Sequence, residues 1–319
     1  MIPTLRQLIA VSAGVCLLSF VADSVMAQNP PPPAAAQPAA PVNPLIKEAQ
    51  QLATDGKLVE ALAAFRKALA ADPKLAVDAH LGAGRTLDLM GQHIDARRHL
   101  ASAIQLAGPD MKDQARAAMA VSYAFEAKAA DAAKFYEPVF NDRMAAGNAN
   151  GAAGTANALA RVYLESGDLA NAEKWYRTGY ETSKQIKDLT PAQADLWQMR
   201  WLNAQGRIAA RAGKVADARK HAAAMKVLLD KGENDAERPQ YQYLLGYIAV
   251  EAGESDAAIA ELEKGTLTDS FVLGLIAKAY EKKGDAAKAT EYYKKVMAAT
   301  SHTINTAFSH QWAKRYLKK

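Results

Sequence analysis

The sequence predicts an all-α protein: a solenoid of about seven helix-turn-helix units ending in a C-terminal capping helix. Three observations predict it. One pattern of small and aromatic residues recurs seven times in order after Leu45. Half the residues are hydrophobic but only 7% are aromatic, and much of the apolar content is alanine, the best helix former. Alternating runs of Val, Ile and Thr, the mark of strands, are absent. A chain of 319 residues is too long for one ordinary core, so it divides into domains or stacks repeats.

Residues 1–27 read as a secretory signal peptide. Arg6 supplies the positive start, Leu8 to Ala22 the apolar stretch, and Val25-Met26-Ala27 the small residues for cleavage before Gln28. The apolar stretch is shorter than the ~20 residues of a membrane span, so an uncleaved anchor is the secondary reading. Cys16 is the only cysteine. Val15 precedes it where a lipoprotein site wants a small residue, so Cys16 reads as apolar filler lost with the signal. The mature chain then has no thiol and no disulfide. No Asn-x-Ser/Thr sequon occurs, which favours the bacterial periplasm over a glycosylating route.

Residues 28–44 carry seven prolines, from Pro30 to Pro44. Proline fixes φ and removes a donor, so this stretch reads as a disordered, semi-rigid linker of Pro and Ala. No Arg-flanked PxxP pattern marks it as a ligand for a proline-binding domain.

The repeat array occupies 45–297. Take Gly56 as an anchor: Ala49 and Leu52 precede it by seven and four residues, and Ala61, Phe65 and Ala68 follow at five, nine and twelve. The same register returns at Gly91, Ala127, Gly167, Gly213, Gly253 and Gly284. Each unit is two helices joined at the anchor, where glycine relieves strain at the end of the first helix. The small residue seven places earlier and the alanine five places later let the two helices approach closely. Tyr, Phe or Leu fills the gap between neighbouring units, so the units must stack. The third unit lacks the turn glycine and the fifth its aromatic. Thr190-Pro191-Ala192-Gln193 is a helix opening with a capping box. Pro138 falls inside a helix, which it is expected to kink or end.

The pattern, most closely in Gly56-Lys-Leu-Val-Glu-Ala-Leu-Ala-Ala-Phe-Arg-Lys-Ala-Leu-Ala-Ala-Asp-Pro73, resembles the tetratricopeptide repeat family. The aligned alanines Ala61, Ala96, Ala132, Ala172, Ala218, Ala258 and Ala289 are 35, 36, 40, 46, 40 and 31 residues apart, against a family period of about 34. The long middle spacings imply extended helices or inserted loops. The resemblance implies a right-handed superhelix whose first helices line a concave, protein-binding groove.

Residues 298–319 read as a capping helix and basic tail. Phe308, Trp312 and Tyr316 recur every four residues, an amphipathic stripe placed to cover the open end of the stack; a docking face for a partner is the alternative. The net charge of +5 is concentrated in Lys314, Arg315, Lys318 and Lys319. A solvated helix terminus accounts for these charges, and no basic-aromatic motif points to nucleic acid.

No catalytic set, cofactor motif or metal-ligand spacing is legible. The six histidines form no i, i+4 pair or His-x-His motif. Gly82-Ala-Gly84 is a close-packing site rather than a phosphate loop. The chain therefore reads as a binding protein and not an enzyme, with no cofactor. In the register of the resemblance, Asn157 and Arg161 of the fourth unit, Arg200, Asn203, Arg207 and Arg211 of the fifth, and Tyr243 and Tyr247 of the sixth face the groove. The four fifth-unit residues are spaced 3, 4 and 4 and share one helical face. Arg clamps carboxylate, Asn fixes a peptide backbone and Tyr gives rigid apolar contact. The set is similar to the Lys and Asn clamp of some family members, with Arg for Lys and a different spacing. An ordinary wet face is the competing reading. The expected function is an exported scaffold that binds protein or peptide partners, acidic or C-terminal segments among them, and assembles envelope complexes. A structural subunit of an envelope secretion or assembly machine is the alternative, and a hydrolase of envelope polymers a distant third.

Overall fold

The computed structural model describes residues 43–318; the expected signal peptide, and all but the last two residues of the expected linker, lie outside them. Seven helix pairs follow one another: α1 (Pro44–Thr54) with α2 (Leu58–Ala71), α3 (Ala76–Leu89) with α4 (His93–Leu106), α5 (Pro109–Ala124) with α6 (Ala129–Ala145), α7 (Ala149–Ser166) with α8 (Leu169–Ser183), α9 (Pro191–Arg211) with α10 (Val215–Leu229), α11 (Arg238–Ala252) with α12 (Ser255–Leu262), and α13 (Ser270–Lys283) with α14 (Ala286–Met297). A fifteenth helix, α15 (Ile304–Leu317), ends the chain, and no strand occurs among the described residues. The fold is the expected all-α solenoid of helical repeats.

Local signals set the helix ends. Asn43, Asn148, Asp168, Thr190, Asp269, Asp285 and Thr303 cap helix N-termini by accepting backbone N–H groups. Thr190 and Gln193 complete a capping box at α9. That helix runs for 21 residues, which accounts for part of the long middle spacing. Pro138 does not end α6, which continues to Ala145. Six of the seven anchors are glycines with φ between 75° and 92°, whereas the third unit forces Ala127 to φ 55°.

The small residue at the seventh position before the anchor acts as its spacing implied. A Cβ at Gly84 would lie 2.7 Å from Leu100 Cγ, and one at Gly246 would collide with Leu262. Leu100 and Leu262 belong to the second helices of the same units and are fully buried. Any side chain at either glycine would push the pair apart, at a cost of ~1–3 kcal/mol.

The C-terminal helix covers the last unit, packing on α13 and α14, and its reach extends beyond capping. It also packs on α5 and α7. Gln311 Nε2 donates to the Ala124 carbonyl (2.8 Å), and Thr300 Oγ1 donates to the Thr54 carbonyl in the first unit (3.1 Å). The array thus curls until its end meets its beginning. Helix α15 lies along the inner side formed by first helices. Its aromatic stripe is spent internally: Trp312 packs at a tilt against Phe271, with 4.6 Å between centroids, and Tyr316 against Tyr293 at the same distance. Ile304, Phe308 and Trp312 are all buried, each worth ~1.5–3 kcal/mol. This packing spends the stripe on covering the stack rather than on docking a partner.

Candidate functional site

Of the eight residues expected to face a groove, Arg161, Asn203, Arg207, Arg211, Tyr243 and Tyr247 come together, most of them out of water, whereas Asn157 packs beside Gly179 of its own unit and Arg200 lies over Trp197. Arg161, Arg200, Asn203, Arg207, Tyr243 and Tyr247 are buried, with Arg207 and Tyr247 each 1% exposed. Asn157 is half-buried, and Arg211 keeps 23% of its side chain exposed. The inner side is narrow because α15 fills part of it and because the superhelix closes tightly. Arg161, on the fourth unit, lies with its guanidinium 4.4 Å from the ring centre of Phe271, on the seventh.

Glu165 organises the cluster. One turn after Arg161 on α7, its Oε1 is ion-paired with Arg161 Nε (3.4 Å), and its Oε2 accepts from Arg211 Nη1 on α9 (3.4 Å). The Tyr247 hydroxyl, on α11, donates to Oε1, the oxygen that also faces Arg161 (3.4 Å). One buried carboxylate therefore ties three units together. A buried charge is tolerable only when paired and hydrogen-bonded. The sequence reading missed Glu165, although its i, i+4 spacing from Arg161 marks an ion pair.

Arg207 is held by side chains on both sides. Its Nε donates to Asn203 Oδ1 (2.9 Å) and its Nη2 to the Tyr176 hydroxyl (2.9 Å). Its guanidinium also stands over the rings of Tyr176 and Tyr243. Burial opposes its charge, but Tyr176, Tyr243, Tyr247 and Glu165 outweigh burial and raise its pKa. Asn203 Nδ2 reaches the Gln240 carbonyl (3.3 Å). Burial brings the pKa of Arg200 down to about 10, with the charge of Glu237 opposing; it lies over Trp197. Burial lowers Lys278 to about 8, against the pull of Glu165 and Glu251.

The buried polar atoms of the cluster with no hydrogen-bond partner include Arg200 Nε, Arg207 Nη1 and the Tyr243 hydroxyl. Burial pushes Tyr243 up to about 12, with Arg161 and Arg207 opposing, so its hydroxyl stays a neutral donor. Tyr243 lines a small mouth with Arg161, Pro239, Gln240, Thr266, Asp269, Val272 and Asn305, where α7, α11, α13 and α15 converge. Both Asp269 carboxylate oxygens already hold internal donors, Phe271 N (2.8 Å) and Asn305 Nδ2 (2.7 Å). The Tyr243 hydroxyl, a donor left over at the mouth, therefore favours an incoming acceptor.

Among the described residues no group of three or more His, Cys, Asp or Glu is placed to hold a metal. No helix among them is long and apolar enough to cross a membrane.

The tetratricopeptide repeat family model matches residues 153–185, 239–270 and 272–301. These segments fall on the fourth, sixth and seventh helix pairs. No curated protein matches the sequence significantly. Solved structures that align with the chain include a tetratricopeptide repeat protein from Parabacteroides merdae, at 14% identity and TM-score 0.49, covering 86% of this chain and 97% of that one. A chain of the APC/C hetero-tetramer Cut9-Hcn1 aligns at 18% identity and TM-score 0.37 over 86% of this chain and 55% of its own. The TPR domain of P58(IPK) aligns at 14% identity and TM-score 0.29 over 86% and 97%. Seven helix pairs follow one another in series, and the family model identifies three of them as tetratricopeptide repeats, a repeat that supports a scaffold for protein–protein interaction.

Proposed function

We propose that the chain is an exported scaffold that captures an acidic or C-terminal segment of a partner protein at the mouth between α7, α11, α13 and α15, and so assembles complexes of the bacterial envelope. The observation that carries this reading is the Tyr243 hydroxyl, buried, un-ionised and without an acceptor, beside the Arg161 guanidinium. A partner carboxylate or backbone carbonyl would supply what Tyr243 lacks, and the charge of Arg161 favours an anion there. Export rests on residues 1–27, and the linker 28–44 would hold the array clear of the membrane during processing.

The test uses Tyr243→Phe, which removes only the hydroxyl and keeps the ring packing. Labelled peptides ending in a free carboxylate are compared with the same peptides amidated. Binding weakened by about ten-fold by the variant and by amidation supports the reading, since one hydrogen bond to a charged group is worth ~1.5–3 kcal/mol. Equal binding in all four combinations contradicts it. Intact-mass analysis of the protein recovered from an export-competent bacterium tests the other half: the expected N-terminus is Gln28, and a retained Met1 in the membrane fraction contradicts cleavage.

A further inference from the structure

The second unit holds a pair that the sequence spacing could not reveal. His80 on α3 and His99 on α4 are 19 residues apart, yet their Nδ1 atoms lie 2.9 Å from each other. The ring centroids are 5.0 Å apart with the planes inclined by 49°. Both side chains are half-buried, so they are held in place but reachable from solvent. Histidine is the commonest metal ligand, and chelation across two helices needs no i, i+4 motif.

The geometry points to a two-histidine chelate for a late first-row transition metal, Cu2+ or Ni2+ before Zn2+, bound by His80 Nδ1 and His99 Nδ1. Two nitrogens each ~2.0–2.1 Å from a metal are ~2.9 Å apart when they subtend a right angle, and ~3.4 Å apart at a tetrahedral angle. The observed separation is that of two cis positions in a square-planar or tetragonal site, the preference of Cu(II) and Ni(II). A tetrahedral Zn2+ would require the helices or rings to open by roughly half an ångström. The Irving–Williams order favours Cu2+ in the same direction.

Protonation presents little obstacle. Two Nδ1 atoms this close can share only one proton, so one ring is already an acceptor. Burial lowers the pKa of both, and at His99 the charges of His80 and Arg66 lower it further while Asp95 opposes them. Ligation requires both rings neutral, the form that burial favours. When the metal enters the neutral pair, the ring that carries its proton on Nδ1 moves it to Nε2, so binding releases no net proton. Asp95, one turn before His99 on α4, is paired with Arg98 at 2.6 Å, and Arg66 on α2 is the cation nearest in effect. Water fills the remaining positions, which makes this an exchangeable site rather than a structural one.

The experiment titrates the purified mature chain with Cu2+ alone, followed by calorimetry and electron paramagnetic resonance, beside His80→Asn, His99→Asn and the control His221→Asn. The wild type and the control are expected to bind Cu2+ with two imidazole nitrogens in the spectrum. Each of the other two variants is expected to lose one of those nitrogens and about ten-fold or more in affinity. Unchanged affinity and unchanged nitrogen couplings in His80→Asn and His99→Asn would overturn the inference. Should either variant fail to match the wild-type helical spectrum, His80→Gln and His99→Gln replace them.

Discussion

His302 and Asp88 are separated by 214 residues of sequence, and His302 Nε2 donates to Asp88 Oδ2 at 2.8 Å. Asp88 is fully buried on α3 and also accepts from His93 Nδ1 and Ser122 Oγ, each at 2.9 Å. Phe125 packs against the rings of His93, His302 and His310. One carboxylate of the second unit thus anchors the segment that leads into α15.

Asp88→Asn is expected to destabilise the protein by about 3 kcal/mol, because it removes one partner from a buried, hydrogen-bonded group. Burial alone would raise the pKa of Asp88, but His302, His93 and Ser122 together hold it below the ordinary value of 3.8. Its contribution is therefore fully present above that value and lost as pH falls through the lower, folded pKa. Urea unfolding of variant and wild type at pH 7 checks the first statement. A gap between them that narrows only at strongly acid pH checks the second.

His310 gives a different pH dependence. Burial first, and then the charge of Lys314, lower its pKa from 6.5 to about 4, against the backbone bonds to Val296 and Ala299. A depressed base takes up its proton in the unfolded chain before the folded one, so stability falls as pH drops from 6.5 towards 4. The full effect is on the order of 3 kcal/mol. His310→Gln is expected to flatten this part of the stability profile. A wild-type profile already flat between those pH values contradicts the assignment.

The third unit carries a strained turn. Ala127 sits at φ 55°, where every other anchor is glycine. The left-handed conformation costs a residue with a Cβ ~1–2 kcal/mol, partly offset by the smaller entropy loss of Ala on folding. Ala127→Gly is expected to raise stability by about 0.5–1 kcal/mol, read as a higher urea midpoint with an unchanged slope. A lowered midpoint would show that the turn is not under strain.

The regular features were legible because they repeat. Helix pairing, the small-residue contacts of Gly84 and Gly246, and the capping box at Thr190 each depend on neighbours within one unit, which spacing encodes. The candidate site was legible only in part. Helical register placed Arg161, Arg207 and Tyr247 on inward faces, but register says nothing about how tightly the array curls. Curvature decides whether those side chains meet water or each other, and here it buries them around Glu165. Closure also depends on Thr300, His302 and Gln311, whose partners lie in distant units. The His80–His99 pair lies within one unit and escaped for a different reason: its two residues belong to different helices, and a search along one helix does not join them.

The central claim is that the repeat array closes on itself around its own C-terminal helix. Spin labels on Thr54→Cys and Thr300→Cys in the mature chain, which has no cysteine if the signal containing Cys16 is removed, test it directly. Closure predicts one short, narrow distance between the labels, because Thr300 bonds to the Thr54 carbonyl. An open stack of seven units at roughly 9 Å each would place them about 60 Å apart, and that long distance, or a broad spread of distances, would contradict the account.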